Sequence, residues 1–449
     1  MLMNETIAAI ATANGVGSVS IVRLSGPQAL EIALSVTRKS SLEPRYATLT
    51  SLYDHEGILI DEALVIYFQA PRSFTGEEVV EFQCHGGFMV AEGVLQTLLK
   101  AGARLAEPGE FSKRAFLNGR MDLTQAEAIA ALIEAKSDDA ARILARQMKG
   151  ELRGYIEDIR DSLLEILAYS EVVIDYAEED LPADVVDQIG VKLANIKATL
   201  SRTLESSRRR SGLMQGYRVA IIGKPNVGKS SLLNALLDYE RAIVSDIAGT
   251  TRDTIEEQVR LGTHLIRLVD TAGIRNASDE IERIGIERSI AAIENADVVI
   301  ALFDQSRKAD DEDRSIVELI ERYQSDKPFI AVLNKADLAE VFESELISPY
   351  APIPLSCKHD TQILIDALIH LMDHDNESDE MMLISQRQIG ATQAAVSAIE
   401  EAYEPLHSGE LEFFSFHINV AIRAISSISR PYELDEMFDR MFGQFCLGK

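Results

Sequence analysis

The sequence predicts a multidomain protein that joins an α+β part, an α-helical bundle and an α/β part, and three observations carry that prediction. Short apolar runs broken by turn residues fill the first 118 positions. Long stretches of helical spacing, almost free of Gly and Pro, follow from Asp122. Strand and helix patterns then alternate from 217 to about 375, as in a parallel sheet with crossover helices, before helical texture returns. The α/β part is therefore expected as an insertion between two pieces of a helical domain. The expected domains are residues 1–118, a helical part at 119–215, the insertion at 216–377, and a second helical part at 378–449.

Taken in order, Ser18–Val22, Ala63–Phe68 and Val79–Phe82 read as strands, bounded by Gly15, Gly26, Pro71, Gly76, Gly86 and Gly87. Gln28–Thr37 and Gly87–Ala101 have helical spacing. Thr124 followed by Glu127 reads as a capping box. Apolar residues at helical spacing then recur through Ile129, Leu132, Ile143, Leu144, Leu152, Ile156, Leu163 and Leu167, up to an acidic stretch at Asp175–Pro182. A further helix is expected from Asp184 to Arg210. In the insertion, Arg218–Ile222, Leu265–Val269, Phe329–Leu333 and Ile353–Leu355 read as strands. The acidic linker Asp373–Glu380 leads to helices from Ser385 onward.

Composition narrows the class. The chain has 449 residues, 46% hydrophobic and 26% charged, which excludes collagen-like and disordered classes. No uncharged apolar run approaches the ~18 residues of a membrane span, and the N-terminus lacks a secretory pattern. Cys84, Cys357 and Cys446 are too few and scattered for a disulfide framework or zinc site, so a reducing, cytoplasmic location without membrane contact is expected. With 44 basic and 72 acidic residues the net charge is −28. That argues against a surface that binds nucleic acid alone, because Lys and Arg supply affinity for phosphates.

The strand Arg218–Ile222 runs into Gly223-Lys-Pro-Asn-Val-Gly228-Lys229-Ser230 and then into a helix pattern, the setting that a GxxxxGK[ST] phosphate loop requires. Backbone N–H groups and a helix N-terminus surround phosphates there, Lys229 reaches the β- and γ-oxygens, and Ser230 ligates Mg²⁺. Three elements follow in order. Asp270-Thr271-Ala272-Gly273 ends a strand, with Asp270 suited to the Mg²⁺ shell and the Gly273 amide to the γ-phosphate. Asn334-Lys335-Ala336-Asp337 ends another, where a carboxylate pairs with guanine N1 and N2 while the Lys335 stem covers the ring. Ser356-Cys357-Lys358 follows a short strand and offers a backbone N–H to guanine O6. Adenine lacks the donors that Asp337 needs, so GTP is the expected substrate. The nucleotide is expected on Asn226, Val227, Gly228, Lys229, Ser230 and Ser231, on Ser245, Asp246, Ile247, Ala248, Gly249, Thr250 and Thr251, on Asp270 to Gly273, and on the two guanine motifs.

Where small GTPases carry a water-orienting Gln after DTAG, this chain has Ile274, which cannot align water. Asn226 can offer an oxygen to a monovalent cation, together with backbone oxygens of the Ser245–Thr250 loop, or it can simply brace the loop. Glu282 can orient the attacking water or lie on a solvated helix face.

These motifs, with FTGEEVVEFQCHGG, PGEFSKRAFLNGRMDLTQAEAIA and the terminal FCLGK, resemble the MnmE (TrmE) family of tRNA-modification GTPases over essentially the full length. The resemblance implies an N-terminal tetrahydrofolate-binding and dimerisation domain, a helical domain, and an inserted P-loop GTPase (Rossmann-like) G domain. K⁺-dependent pairing of G domains across a homodimer would switch on hydrolysis. It also implies a complex, heterotetramer or larger, with the FAD-containing partner MnmG. With tRNA bound jointly, the pair would install a carboxymethylaminomethyl or aminomethyl group at C5 of the wobble uridine, position 34. A 5-formyl or 5,10-methylene tetrahydrofolate would supply one carbon. By the same resemblance, folate contacts fall on Arg23, Glu81, Arg120 and Lys449, Mg²⁺ on Ser230 and Thr251, K⁺ on Asn226, Ser245, Ile247 and Thr250, and the general base on Glu282.

Without the resemblance, Arg23, Glu81 and Arg120 also read as ordinary surface ion pairs, and His85 as a turn or interface histidine. Cys446, beside Lys449, is either a low-pKa nucleophile or a packed thiol. Two other functions stand beside the modification enzyme. A ribosome-assembly GTPase predicts ribosome co-sedimentation and no folate binding; a folate-binding regulator predicts that loss of hydrolysis leaves tRNA unchanged.

Overall fold

Alternation along the first sheet decides what the N-terminal region can present. The computed structural model describes residues 5–13, 15–135, 137–175, 185–243, 257–269, 282–374 and 381–430. The chain divides into two compact units, Met1–Ile133 with Arg146–Lys197 and Gly390–Lys449, and Glu134–Ala145 with Ala198–Ile389.

In the first unit, β1 (Ile7–Ile10), β2 (Val19–Ser25), β3 (Ala47–Tyr53), β4 (Leu59–Phe68), β5 (Val79–His85) and β6 (Arg104–Leu105) form a sheet of order β3-β4-β5-β2-β1-β6. The pairings are antiparallel except the parallel β1–β6 edge. Helices α1 (Ala29–Thr37) and α2 (Phe88–Lys100) cover one face, where Val22, Leu24, Val80 and Phe82 pack with Val94 and Leu98. Period-two alternation sends Arg23 and Glu81 to the other face, directly opposite each other in register. Ile7 and Ala9 meet Phe111 of α3 (Glu110–Leu117) on that same face. The expected strands and helices are present, but β1, β3 and β6 are additions. β1 is half alanine and β6 only two residues long, so pairing with neighbours makes them strands, whereas β3, with Thr48, Thr50 and Tyr53, has the composition of a strand in its own right.

The helices follow. α4 (Leu123–Glu134) starts on a capping box, but two residues earlier than the Thr124 and Glu127 expectation. Asp122 Oδ1 accepts the Gln125 amide at 3.0 Å and the Thr124 hydroxyl at 2.5 Å, while the Gln125 carboxamide oxygen accepts the Asp122 amide at 3.1 Å. The aspartate wins because its carboxylate complements the positive helix N-terminus more strongly than a hydroxyl does. After α5 (Asp138–Met148), α6 (Glu151–Asp175) buries Leu152, Ile156, Ile159, Leu163 and Ile166 in steps of four and three. That seam packs against α14 (Leu411–Ser429), which buries Phe414, Ile418, Ala421, Ile425 and Ile428 in the same steps. Between them in sequence lie α7 (Val185–Arg209) and α13 (Gln386–Ser408).

In the second unit, after the short α8 (Ser211–Gln215), the sheet order is β12-β11-β10-β7-β9-β8. β7 (Tyr217–Ile222), β9 (His264–Val269), β10 (Val298–Asp304), β11 (Phe329–Asn334) and β12 (Ile353–Leu355) run parallel. The edge strand β8 (Glu257–Leu261) was not expected and runs antiparallel to β9 across the two-residue turn Gly262-Thr263. Gly262 has φ +59, the left-handed conformation such tight hairpins demand. Helices α9 (Lys229–Ile243) and α12 (Gln362–His374) cover one face; α10 (Glu282–Asn295) and α11 (Asp311–Tyr323) cover the other. β10 is buried along its whole length. β7 has β10 on one side and β9 on the other, so the loop leaving its C-terminal end lies at the switch point where open α/β sheets bind ligands.

Candidate functional site

The phosphate loop is shaped by positions that tolerate no other backbone. Gly223 has φ +151, and a Cβ there would sit 2.6 Å from the Leu302 carbonyl oxygen. Gly228 has φ +109 and a Cβ would collide with Asn334 Nδ2. Between them Asn226, at φ +66, also takes the left-handed conformation and is exposed at the loop surface. Lys229 opens α9 and its ammonium donates to the Gly223 carbonyl and, at 2.9 Å, to the Lys224 carbonyl. Burial lowers its pKa, with the Glu312 carboxylate pulling the other way. Ser230 and Ser231 follow, exposed, on the first turn of the helix.

A residue the sequence left without a role anchors this loop from beneath. Lys224 is buried, and its ammonium pairs with Asp313 and, at 2.5 Å, with Asp310. Both carboxylates belong to the capping box of α11, and Asp313 is wholly buried. The Asp-x-x-Asp spacing before an apolar helix was the available signal.

The base-recognition motifs reach the phosphate loop through one side chain. Asn334 donates to the Val227 carbonyl at 2.7 Å and accepts the Cys357 amide at 3.1 Å. The Cys357 N–H expected on guanine O6 is thus engaged by Asn334, so a role toward the base requires that bond to open or be shared. Lys335, at φ +65, donates to Asp304 at 2.6 Å. Asp337 is exposed, and the Ser356 hydroxyl, its own backbone amide, His359 and Lys358 hold its carboxyl below the usual range. Burial pushes the Cys357 thiol up to about 11, which leaves it a neutral packing group.

Of the other expected nucleotide and cation residues, Ser245, Asp246, Ile247, Ala248, Gly249, Thr250 and Thr251, together with Asp270, Thr271, Ala272 and Gly273, lie outside the described residues. Glu282 is the first residue of α10, and its side chain lies outside them too. Cys446 and Lys449 are likewise outside. Among the described residues no group of three or more His, Cys, Asp or Glu side chains is placed to hold a metal ion. Nor, among them, is any helix long and apolar enough to cross a membrane.

In the first unit, Arg23 Nε donates to Glu81 at 2.9 Å, and both side chains are mostly buried. The Arg23 guanidinium stands 5.0 Å from the Phe74 ring centre and 5.6 Å from that of Phe111. Arg120 donates to the Ser73 carbonyl at 3.1 Å, on the loop that carries Phe74. That loop is held by Ser25, whose hydroxyl donates to Glu77 at 2.8 Å, and by Arg114, which pairs with Glu77 at 3.1 Å and Glu110 at 2.9 Å. A cation, a carboxylate and two rings side by side suit a flat heteroaromatic acid, and this donor set fits a folate. The two rings were not singled out from sequence, because Phe74 and Phe111 are distant from Arg23 along the chain. His85 pairs with Asp61 at 2.7 Å at an exposed strand end, and Cys84 is buried with its thiol pushed up to about 11.

A tRNA modification GTPase MnmE from Sulfurimonas denitrificans is 64% identical over 448 residues, covering 100% of both chains. The chain belongs to the MnmE family of tRNA modification GTPases. An MnmE from a Sulfurovum species is 59% identical over 447 residues, covering 100% of this chain and 99% of its own. One from Aliarcobacter butzleri is 58% identical over 449 residues and covers 100% of each. The family model for the GTP-binding protein TrmE N-terminus matches residues 6–120, and that for the MnmE helical domain matches 123–446. MnmE membership accounts for the motif order in both units.

Proposed function

We propose that this MnmE-family chain hydrolyses GTP in its second unit to drive a tRNA modification whose folate chemistry is housed in its first. The observation that carries the nucleotide part is the Asn334 bridge, which joins the phosphate loop to the Ser356-Cys357-Lys358 loop. Asp337 remains ionised and exposed to pair with guanine N1 and N2. In this reading the domains are residues 1–118, 119–215 with 378–449, and the inserted 216–377.

The Lys229 ammonium would exchange two neutral backbone carbonyls for the anionic β- and γ-oxygens, which are stronger acceptors. Loop amides from Asn226 to Ser231 surround the phosphates at the positive end of α9. Ser230 and Thr251 would hold Mg²⁺, and Asn226, Ser245, Ile247 and Thr250 would hold K⁺; these ions supply positive charge against the phosphate oxygens. Glu282 orients the attacking water and takes its proton as the γ-phosphate leaves GDP.

On the first unit, Arg23, Glu81 and Arg120 would bind tetrahydrofolate, with Lys449 from the C-terminus, where Cys446 would stand as a nucleophile. The folate supplies a one-carbon unit when bound, and MnmG's flavin supplies the redox step. Exposed Leu49 and Leu64, paired across β3 and β4 on the face away from α1 and α2, support a homodimer through this sheet. The acidic chain fits tRNA held jointly with MnmG in the cytoplasm.

The test is turnover of GTP and ATP by the purified protein in KCl and in NaCl at equal ionic strength. Strong K⁺ stimulation with GTP and no turnover of ATP is expected. Equal slow rates in both salts overturn the cation site, and equal use of ATP overturns guanine recognition.

A further inference from the structure

Asp304 closes β10 with its side chain only 4% exposed, and three neighbours face it. Lys335 Nζ donates to Oδ2 at 2.6 Å, and the Ser306 amide and hydroxyl donate to Oδ1 at 3.0 and 2.7 Å. Arg307 Nε lies 3.4 Å from Oδ2, and its Nη2 reaches the Pro225 carbonyl of the phosphate loop at 3.4 Å. Burial alone would raise the carboxyl's pKa, but Lys335 and Ser306 outweigh it and hold the group ionised. The parallel register sets Asp304 beside Asn334, immediately before Lys335. Lys335 is therefore restrained at both ends, by a left-handed backbone at Cα and by a buried carboxylate at Nζ. Its methylene stem loses the freedom an exposed lysine has, before a base meets it.

We propose that Asp304 is a positioning residue for guanine recognition, which holds the Lys335 stem as a pre-set surface for the base without itself touching the nucleotide. This rests on the guanine site proposed above. A buried anion at this strand end has no other cation as close as Lys335 among the described residues. Asp304 acts through Lys335, so its contribution must vanish when the lysine does.

The experiment is a double-mutant cycle on the full-length chain, read by the Kd of a fluorescent GDP and by GTP turnover. D304N is expected to raise the GDP Kd roughly tenfold and KM for GTP alongside it, with kcat within about twofold of wild type. In a K335A background the same change is expected to add nothing. An unchanged Kd, or an equal loss with and without Lys335, overturns the proposal. Should D304N melt well below wild type, S306A serves in its place: it removes one donor from Oδ1, with a smaller Kd rise that again disappears with K335A. Wild-type protein that binds ADP as tightly as GDP overturns the guanine site itself, and the proposal with it.

Discussion

The two candidate sites are built in opposite ways. In the second unit one continuous loop, residues 223–230, forms the core of the candidate phosphate cradle, and its left-handed positions and its bond to Asn334 are set by the backbone. In the first unit Arg23, Phe74, Glu81, Phe111 and Arg120 come from separate strands, loops and helices, and only the folded sheet brings them together. A backbone-built site resists loss of a single side chain but not of its glycines or its anchor. A site built from dispersed side chains is graded, each residue contributing a share of affinity.

The largest effect expected from this contrast is at the anchor. K224M leaves Asp313 buried without its cation, and breaking such a pair costs about 3–5 kcal/mol. The denaturant midpoint of the second unit's unfolding should fall accordingly; an unchanged midpoint would show that the loop needs no anchor. Next comes E282A, expected to keep GTP affinity while lowering turnover by about 10². Normal turnover in that variant would remove Glu282 from the mechanism. R23A should weaken folate binding by roughly tenfold, through loss of one charged partner, with GTP turnover unchanged. Calorimetry showing unaltered folate affinity would remove Arg23 from that site.

The smallest effect is one of pH. Burial tends to raise the Glu110 pKa, but hydrogen bonds from Arg104, the Glu107 amide and Arg114 outweigh it, so the folded value lies below the ordinary glutamate range. A depressed carboxyl stabilises the fold above its unfolded pKa of about 4.3, and that stabilisation disappears as pH falls through the folded value. E110Q should therefore flatten the acid limb of the first unit's stability while leaving nucleotide binding at neutral pH unaltered. An identical acid limb in the variant would assign the loss to other carboxylates.

Much of the second site could be read directly from the chain. GKPNVGKS, DTAG and NKAD are contiguous, and their order along alternating strands implies their convergence at the sheet's C-terminal edge. What escaped was every contact between motifs. The spacing of Asp310 and Asp313 marks a helix cap but not that Lys224 meets it, and Asp304 reads as an ordinary strand end until Lys335 is placed against it. The cap at α4 was displaced by two residues because Thr124 and Asp122 both fit the pattern, and the carboxylate prevails by geometry and charge.

Local chemistry was thus settled by the order of residues: a left-handed glycine loop before a helix, apolar steps of three and four, and an exposed Asp337 in the motif that ends β11. These are short-range properties, set by sterics and spacing within a few residues. Pairing across strands and between loops was settled by the fold. Arg23 meets Glu81 through antiparallel register, and Asn334 spans two loops through a parallel one. Register follows from burying a whole face at once, and that sum runs over residues far apart in the chain.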